Sequence, residues 1–298
     1  MWYSTLFLRL YSKILEDDLI QNDVTEGDVQ QAIRYMHEVY RGNPENLSKE
    51  SYSITNYNNL AYRCAYLFKY APIHTALVYE AMSRALTENP HTFRLFQDLV
   101  FLKTPFNICS LGSGPGTDVI GVLAALYDKL CFFPSSATLV DIMPEWEGTF
   151  RSVVSELRLE DRTYGILSAS ASQRYFDWSF IDSDLLEEVS QDLKLVIESA
   201  NLITLVKFVS AVACKKTSEM IEHEVYDAFH STKPESACEQ TIGAESADMH
   251  AAHRFLDIQI ISNKLGAAPV AHLATPSYFD VYKPISTSGH REFLLSSG

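Results

Sequence analysis

The stretch "NICSLGSGPGTDVIGVLAAL", Asn107 to Leu126, decides the fold. Its first residues form a short apolar run, and Val119, Ile120, Leu123 and Leu126 recur at the spacing of one helical face. Between them Gly112, Gly114 and Gly116 fall within five positions. A strand, a glycine turn and a helix in direct succession bring backbone NH groups towards a ligand at the C-terminal edge of a parallel sheet. The turn is not a dinucleotide fingerprint, because the position three after Gly114 is Thr117. It is not a phosphate-binding loop either, since no Gly-Lys-Ser or Gly-Lys-Thr follows. By itself it also fits a strand-to-helix turn with no ligand.

Outward from the turn, short apolar runs alternate with helical ones, the pattern of βαβ units. "FNICSL", "ATLVD", "WSFID" and "NLITLV" read as strands. Trp146, Phe150, Val153, Val154 and Leu157 mark one helical face between them, and Leu186, Val189, Leu193 and Val196 mark another. The fold class is α/β, a Rossmann-like, mostly parallel sheet with flanking helices. Asp141 ends the second strand, 25 residues after Gly116, where a carboxylate can accept hydrogen bonds from both hydroxyls of a ribose. After the third strand, Asp182 or Asp184 can accept from an adenine amino group, or cap the next helix.

In order and spacing, "LGSGPGTD", "LVD", "FIDSD" and "ANLITLV" resemble the nucleotide half of a class I S-adenosylmethionine-dependent methyltransferase, over about 106–234. The resemblance implies that the glycine loop lies against the methionine part of the cofactor, Asp141 holds the ribose, and Asp182 or Asp184 meets the adenine. The candidate cofactor set is Ser110, Gly112, Ser113, Gly114, Gly116, Asp118, Asp141, Ile142, Asp182, Ser183 and Asp184. Ser110 stands where many members carry an acid, and it cannot offer a carboxylate's charge to an ammonium. Asp118 either compensates or caps its helix. No motif assigns a catalytic residue, and the methyl acceptor is open. A small molecule or protein is favoured over RNA by the net charge of −14.

Residues 1–104 show helical spacing, as in Leu6, Leu10 and Ile14, and Thr25 is placed to cap "EGDVQQAIRYMHEVY". Pro72 and Pro90 punctuate this helical region. Tyr57, Tyr62, Tyr66, Phe68 and Tyr70, interleaved with Arg63 and Lys69, read first as a packed face. Tyr66 or Tyr70 as a lid over the cofactor cleft, or stacking on nucleic-acid bases, is the sharper alternative.

The chain thus divides into a helical region and cleft lid (1–104), a cofactor-binding core (105–234) and an atypical C-terminal segment (235–298). In the segment "ACEQTIGAESADMHAAHR" no apolar run supplies the fifth strand that the family has, so the C-terminal part of the sheet is expected to be incomplete. "FLDIQII" and "SYFDVYKPI" are the remaining strand candidates. The tail motivates an alternative function, a catalytically impaired methyltransferase-like module that binds cofactor or protein. His250 and His253 lack a third ligand or zinc signature, so no metal is expected. Five scattered cysteines without a CxxC pair suit a reducing compartment. No segment reads as a signal peptide or membrane span, and the expectation is a cytoplasmic or nuclear protein with no membrane partner.

Overall fold

The computed structural model describes residues 2–41, 57–101, 106–131, 136–158, 176–185, 187, 189–206, 259–260 and 271–272. Five helices come first: α1 (Trp2–Asn22), α2 (Glu26–Arg41), α3 (Leu60–Lys69), α4 (Ala71–Glu88) and α5 (Pro90–Phe101). Then β1 (Asn107–Leu111), α6 (Thr117–Leu130), β2 (Ser136–Asp141), α7 (Trp146–Leu157), β3 (Asp177–Asp182), α8 (Gln191–Ser199) and β4 (Leu202–Leu205) alternate. The strands pair in parallel in the order β3-β2-β1-β4, so the chain reverses direction across the sheet between β1 and β4. This is a Rossmann-like α/β fold, as the alternating runs predict. Among the described residues no helix is long and apolar enough to cross a membrane.

The strands β1, β2 and β4 form where they do because both of their faces are covered, whereas β3 at the edge of the sheet is half-buried to exposed. Ile108, Ala137, Leu139 and Leu202 pack into one core with α1, α4, α6 and α7. Their neighbours Cys109, Leu111, Val140, Ile203 and Leu205 pack on the other face with Leu193 and Ile197 of α8. This alternation explains why the runs of β1, β2 and β4 are mostly apolar. The helix α8 begins later than the apolar spacing from Leu186 suggests. Ser190 stops it there by accepting from the Leu193 amide at 3.2 Å, so Asp182 and Asp184 do not cap it.

The first helices are part of the same core. Tyr3, Leu6, Phe7, Leu10, Tyr11 and Ile14 of α1 are buried on one face, and Thr25 caps α2 reciprocally with Asp28. Asn59 caps α3 by accepting from Ala61 at 2.9 Å. Pro72 and Pro90 sit in the first turns of α4 and α5, where a missing N–H costs nothing. The helix α4 lies along α6, with Thr75 and Val78 at Gly121 and Tyr79 reaching Asp128 at 3.1 Å. The N-terminal turn of α4 therefore lies at the end of α6 that carries the glycine turn.

The short strands β5 (Gln259–Ile260) and β6 (Ala271–His272) pair antiparallel in a separate two-stranded sheet, and β5 lies beside β4. The strand β5 falls within "FLDIQII". The segments "SYFDVYKPI" and "ACEQTIGAESADMHAAHR", with His250 and His253, lie outside the described residues.

A Cβ at position 121 would stand 2.8 Å from both the Thr75 carbonyl oxygen and Val78 Cβ. Gly121→Ala is therefore expected to lose about 1–2 kcal/mol, because overpacking outweighs the usual helix gain. Gly148→Ala in α7, where nothing lies within 4 Å, should gain about 0.5–1 kcal/mol. Urea denaturation of both variants measures this; stabilisation by both would disprove tight α4–α6 contact.

Candidate functional site

The turn after β1 runs through Gly112, Gly114 and Gly116, with φ of 66°, 51° and 74°. Only glycine adopts this left-handed region without strain. The turn folds onto the end of β2. The amides of Gly112 and Ser113 donate to the Val140 carbonyl at 2.8 and 3.1 Å, and the Gly116 amide to that of Ser113 at 2.9 Å. The Gly114 amide donates to Asp141 Oδ2 at 2.8 Å. The expectation that these NH groups face a ligand is thus corrected, since each is already engaged by protein. Ser113 is buried within this turn.

The glycines are required for different reasons. Nothing lies within 4 Å of a Cβ built at Gly114, so a side chain there would enter open space. At Gly116 it would stand 2.3 Å from Phe150 Cδ2. Close packing of α6 on α7 therefore demands the third glycine.

Asp141 is 9% exposed, and its Oδ1 accepts from the Met143 amide at 3.0 Å. Burial pushes its carboxyl above the usual range, against the amides of Gly114, Met143 and Ile142. Ile142, next to it, is 36% exposed. Asp182 pairs with Asp141 in register and is exposed, the Ser183 amide donates to the Asp141 carbonyl at 3.1 Å, and Asp184 is half-buried. The ends of β1, β2 and β3 thus gather the candidate residues along one edge of the sheet.

Asp118 neither caps α6 nor reaches the surface. The N-cap is Gly116, and Asp118 is 2% exposed. Its Oδ2 accepts from Ser110 Oγ at 2.5 Å and from Thr204 Oγ1, joining α6 to β1 and β4. Oδ1 has no hydrogen-bond partner. Burial raises this carboxyl, opposed by the Ser110 and Thr204 hydroxyls and by the amides of Val119 and Asp118. Thr204 is the residue that sequence reasoning missed. Its signal was a hydroxyl inside a buried apolar strand, and β-branched threonine reads there as an ordinary strand former.

Apart from Phe68, the aromatic residues in and around α3 pack against other rings. Tyr57 and Tyr66 meet Trp146 with ring centroids 5.1 and 5.5 Å apart, in a cluster with Tyr70, Met143 and Phe180. Tyr66 and His74 Nδ1 share a hydrogen bond of 2.8 Å. Tyr62 meets Tyr35 of α2, and Phe68 is exposed. The cluster sits against the ends of β2 and β3, beside Asp141, with its rings engaged by one another.

No protein-family model and no curated protein matches this chain. The functional assignment therefore rests on the chemistry of the site.

Two outcomes test this geometry. Gly116→Ala should destabilise the protein by roughly 2–4 kcal/mol, from overpacking plus a left-handed alanine. Gly114→Ala should cost only the backbone strain of about 1–2 kcal/mol. Equal losses in thermal unfolding would put the two glycines in the same environment.

The second outcome concerns pH. A carboxyl whose folded pKa is raised stabilises the fold fully below the unfolded value of 3.8, and that contribution is lost as pH rises through the folded pKa. Between about pH 4 and 7, wild type should therefore lose stability relative to Asp118→Asn. A constant difference in urea midpoints would mean that Asp118 titrates normally.

Proposed function

We propose that this chain is an S-adenosylmethionine-dependent methyltransferase, with its cofactor site at the glycine turn and the ends of β1 and β2. The observation that carries this reading is the arrangement of amides and carboxylates there. The amides of Gly112, Ser113, Gly114 and Gly116 are all engaged within the protein. Two buried carboxylates, Asp118 and Asp141, flank them, and among the described residues no Lys or Arg pairs with either. A pyrophosphate would need free amides and positive potential. That disfavours a nicotinamide dinucleotide and suits a cationic adenosyl ligand.

The residues present fit this group. The space over Gly114 is open, Asp118 Oδ1 lacks a partner, and Asp141, with one backbone donor on each oxygen, keeps acceptor capacity for a ribose diol. Ile142 offers an exposed apolar side chain beside it. The group, when bound, supplies a methyl carried on a sulfonium. With so reactive a donor, the chain needs mainly to align an acceptor and exclude water, so no acid–base pair is required. The net charge of −14 favours a small molecule or a protein over RNA as acceptor.

Calorimetric titration with S-adenosylmethionine, S-adenosylhomocysteine and NAD tests the reading. Both adenosyl ligands should bind and NAD should not; the reverse order would overturn it. Asp141→Ala should weaken S-adenosylhomocysteine binding by roughly 1.5–3 kcal/mol, the value of hydrogen bonds to a charged group. The loss should shrink for an analogue without ribose hydroxyls. Incubating the protein and cell extract with a labelled methyl donor would then identify the acceptor fraction.

A further inference from the structure

A hydrogen bond of 2.8 Å between Tyr66 Oη and His74 Nδ1 joins α3 to the first turn of α4. Its neighbours put it between the starts of α7 and α6. The Tyr66 ring meets Trp146, the first residue of α7, at 5.5 Å, in the cluster that includes Phe180 of β3. On the other side, Thr75, which follows His74, shares a hydrogen bond of 2.8 Å with Tyr11, and the Tyr11 hydroxyl lies in the field of Asp118 in the first turn of α6. The starts of α6 and α7 lie at the carboxyl ends of β1 and β2, the edge at which open α/β sheets bind their ligands.

Packing does not account for the polar half of this pair. The Tyr66 ring covers Trp146 with carbon atoms, which phenylalanine also has. Both side chains are half-buried, so burial does not oblige either polar group to find the other. A neutral imidazole has one donor and one acceptor nitrogen. A phenol that donates to the acceptor nitrogen can take a proton from a third group while it passes its own to the ring.

We propose that Tyr66 and His74 form a proton relay for the methyl acceptor, and that the acceptor atom is therefore an oxygen or nitrogen that carries a proton. The inference rests on the methyltransferase reading. A lone pair of the acceptor atom forms the bond to the methyl carbon, and the carbon–sulfur bond breaks with its electron pair left on sulfur. The acceptor's proton passes to Tyr66 Oη as the Tyr66 proton passes to His74 Nδ1. The positive charge lost from the sulfonium is then carried by the imidazolium. Tyr66 is the catalytic residue, and His74, acting through it, is a positioning residue.

The first test needs neither ligand nor acceptor. Nitrogen NMR of the imidazoles in the full chain, at about pH 8 where an ordinary imidazole is neutral, reads the His74 tautomer, with the signal assigned by its loss in His74→Gln. The proton should be on Nε2; a proton on Nδ1 overturns the relay, because that nitrogen could accept no other. Labelled S-adenosylmethionine with cell extract as acceptor source supplies the second test. Tyr66→Phe should lower kcat roughly 100-fold or more, with the KM for S-adenosylmethionine and the calorimetric affinity for S-adenosylhomocysteine unchanged. His74→Gln should lower kcat in the same way, and the label should be found on oxygen or nitrogen. Full turnover in Tyr66→Phe overturns the relay but not the methyltransferase reading. So does a parallel loss of turnover and S-adenosylhomocysteine affinity, which would make the pair a packing element only. Label on sulfur overturns the acceptor class. Failure of wild type to bind S-adenosylhomocysteine overturns the reading and the relay together.

Discussion

The hydrogen bonds that converge on Asp118 hold together the three elements that define the site. Ser110 lies at the centre of the sheet, Thr204 on the strand beyond the reversal, and Asp118 in the first turn of α6. A carboxylate that accepts from both strands fixes how far β4 stands from the start of α6. The same carboxylate is left with an unpartnered oxygen under burial. Structural restraint and chemical potential therefore sit in one side chain, and its protonation state links the two.

The glycine turn is built on the same economy. Its amides are spent on the end of β2, and the bond from Gly114 to Asp141 ties the turn to the acid of the neighbouring strand. A turn closed this way presents backbone surface and open space rather than donors. Such a surface accepts close contact with a neutral or cationic ligand and offers little to a phosphate. The chemistry is set by where the NH groups point, which the glycine spacing alone leaves open.

The N-terminal helices complete this arrangement from one face. Gly121 lets α4 approach α6 closely, and Tyr11 of α1 bonds Thr75 of α4 at 2.8 Å within the core. The aromatic cluster around Trp146 extends that packing to the ends of β2 and β3. Through Met143, whose amide donates to Asp141, and Phe180 of β3, these packed rings adjoin the edge of the sheet that carries Asp141.

The strands, the glycine turn and the position of Asp141 were legible in the sequence, because each depends on neighbours along the chain. Apolar runs bounded by turn residues make strands, and helical spacing marks the buried faces of α6 and α7. The start of α8 was less legible, since one capping serine outweighed an apolar spacing that continues before it. Tertiary structure alone decided that Gly116 faces Phe150, that the turn amides are already bonded, and that Asp118 meets Thr204. Asp118 and Thr204 stand 86 residues apart. Their meeting depends on β4 pairing with β1 rather than extending beyond β3, and strand order is set by packing over the whole sheet, which no local pattern encodes.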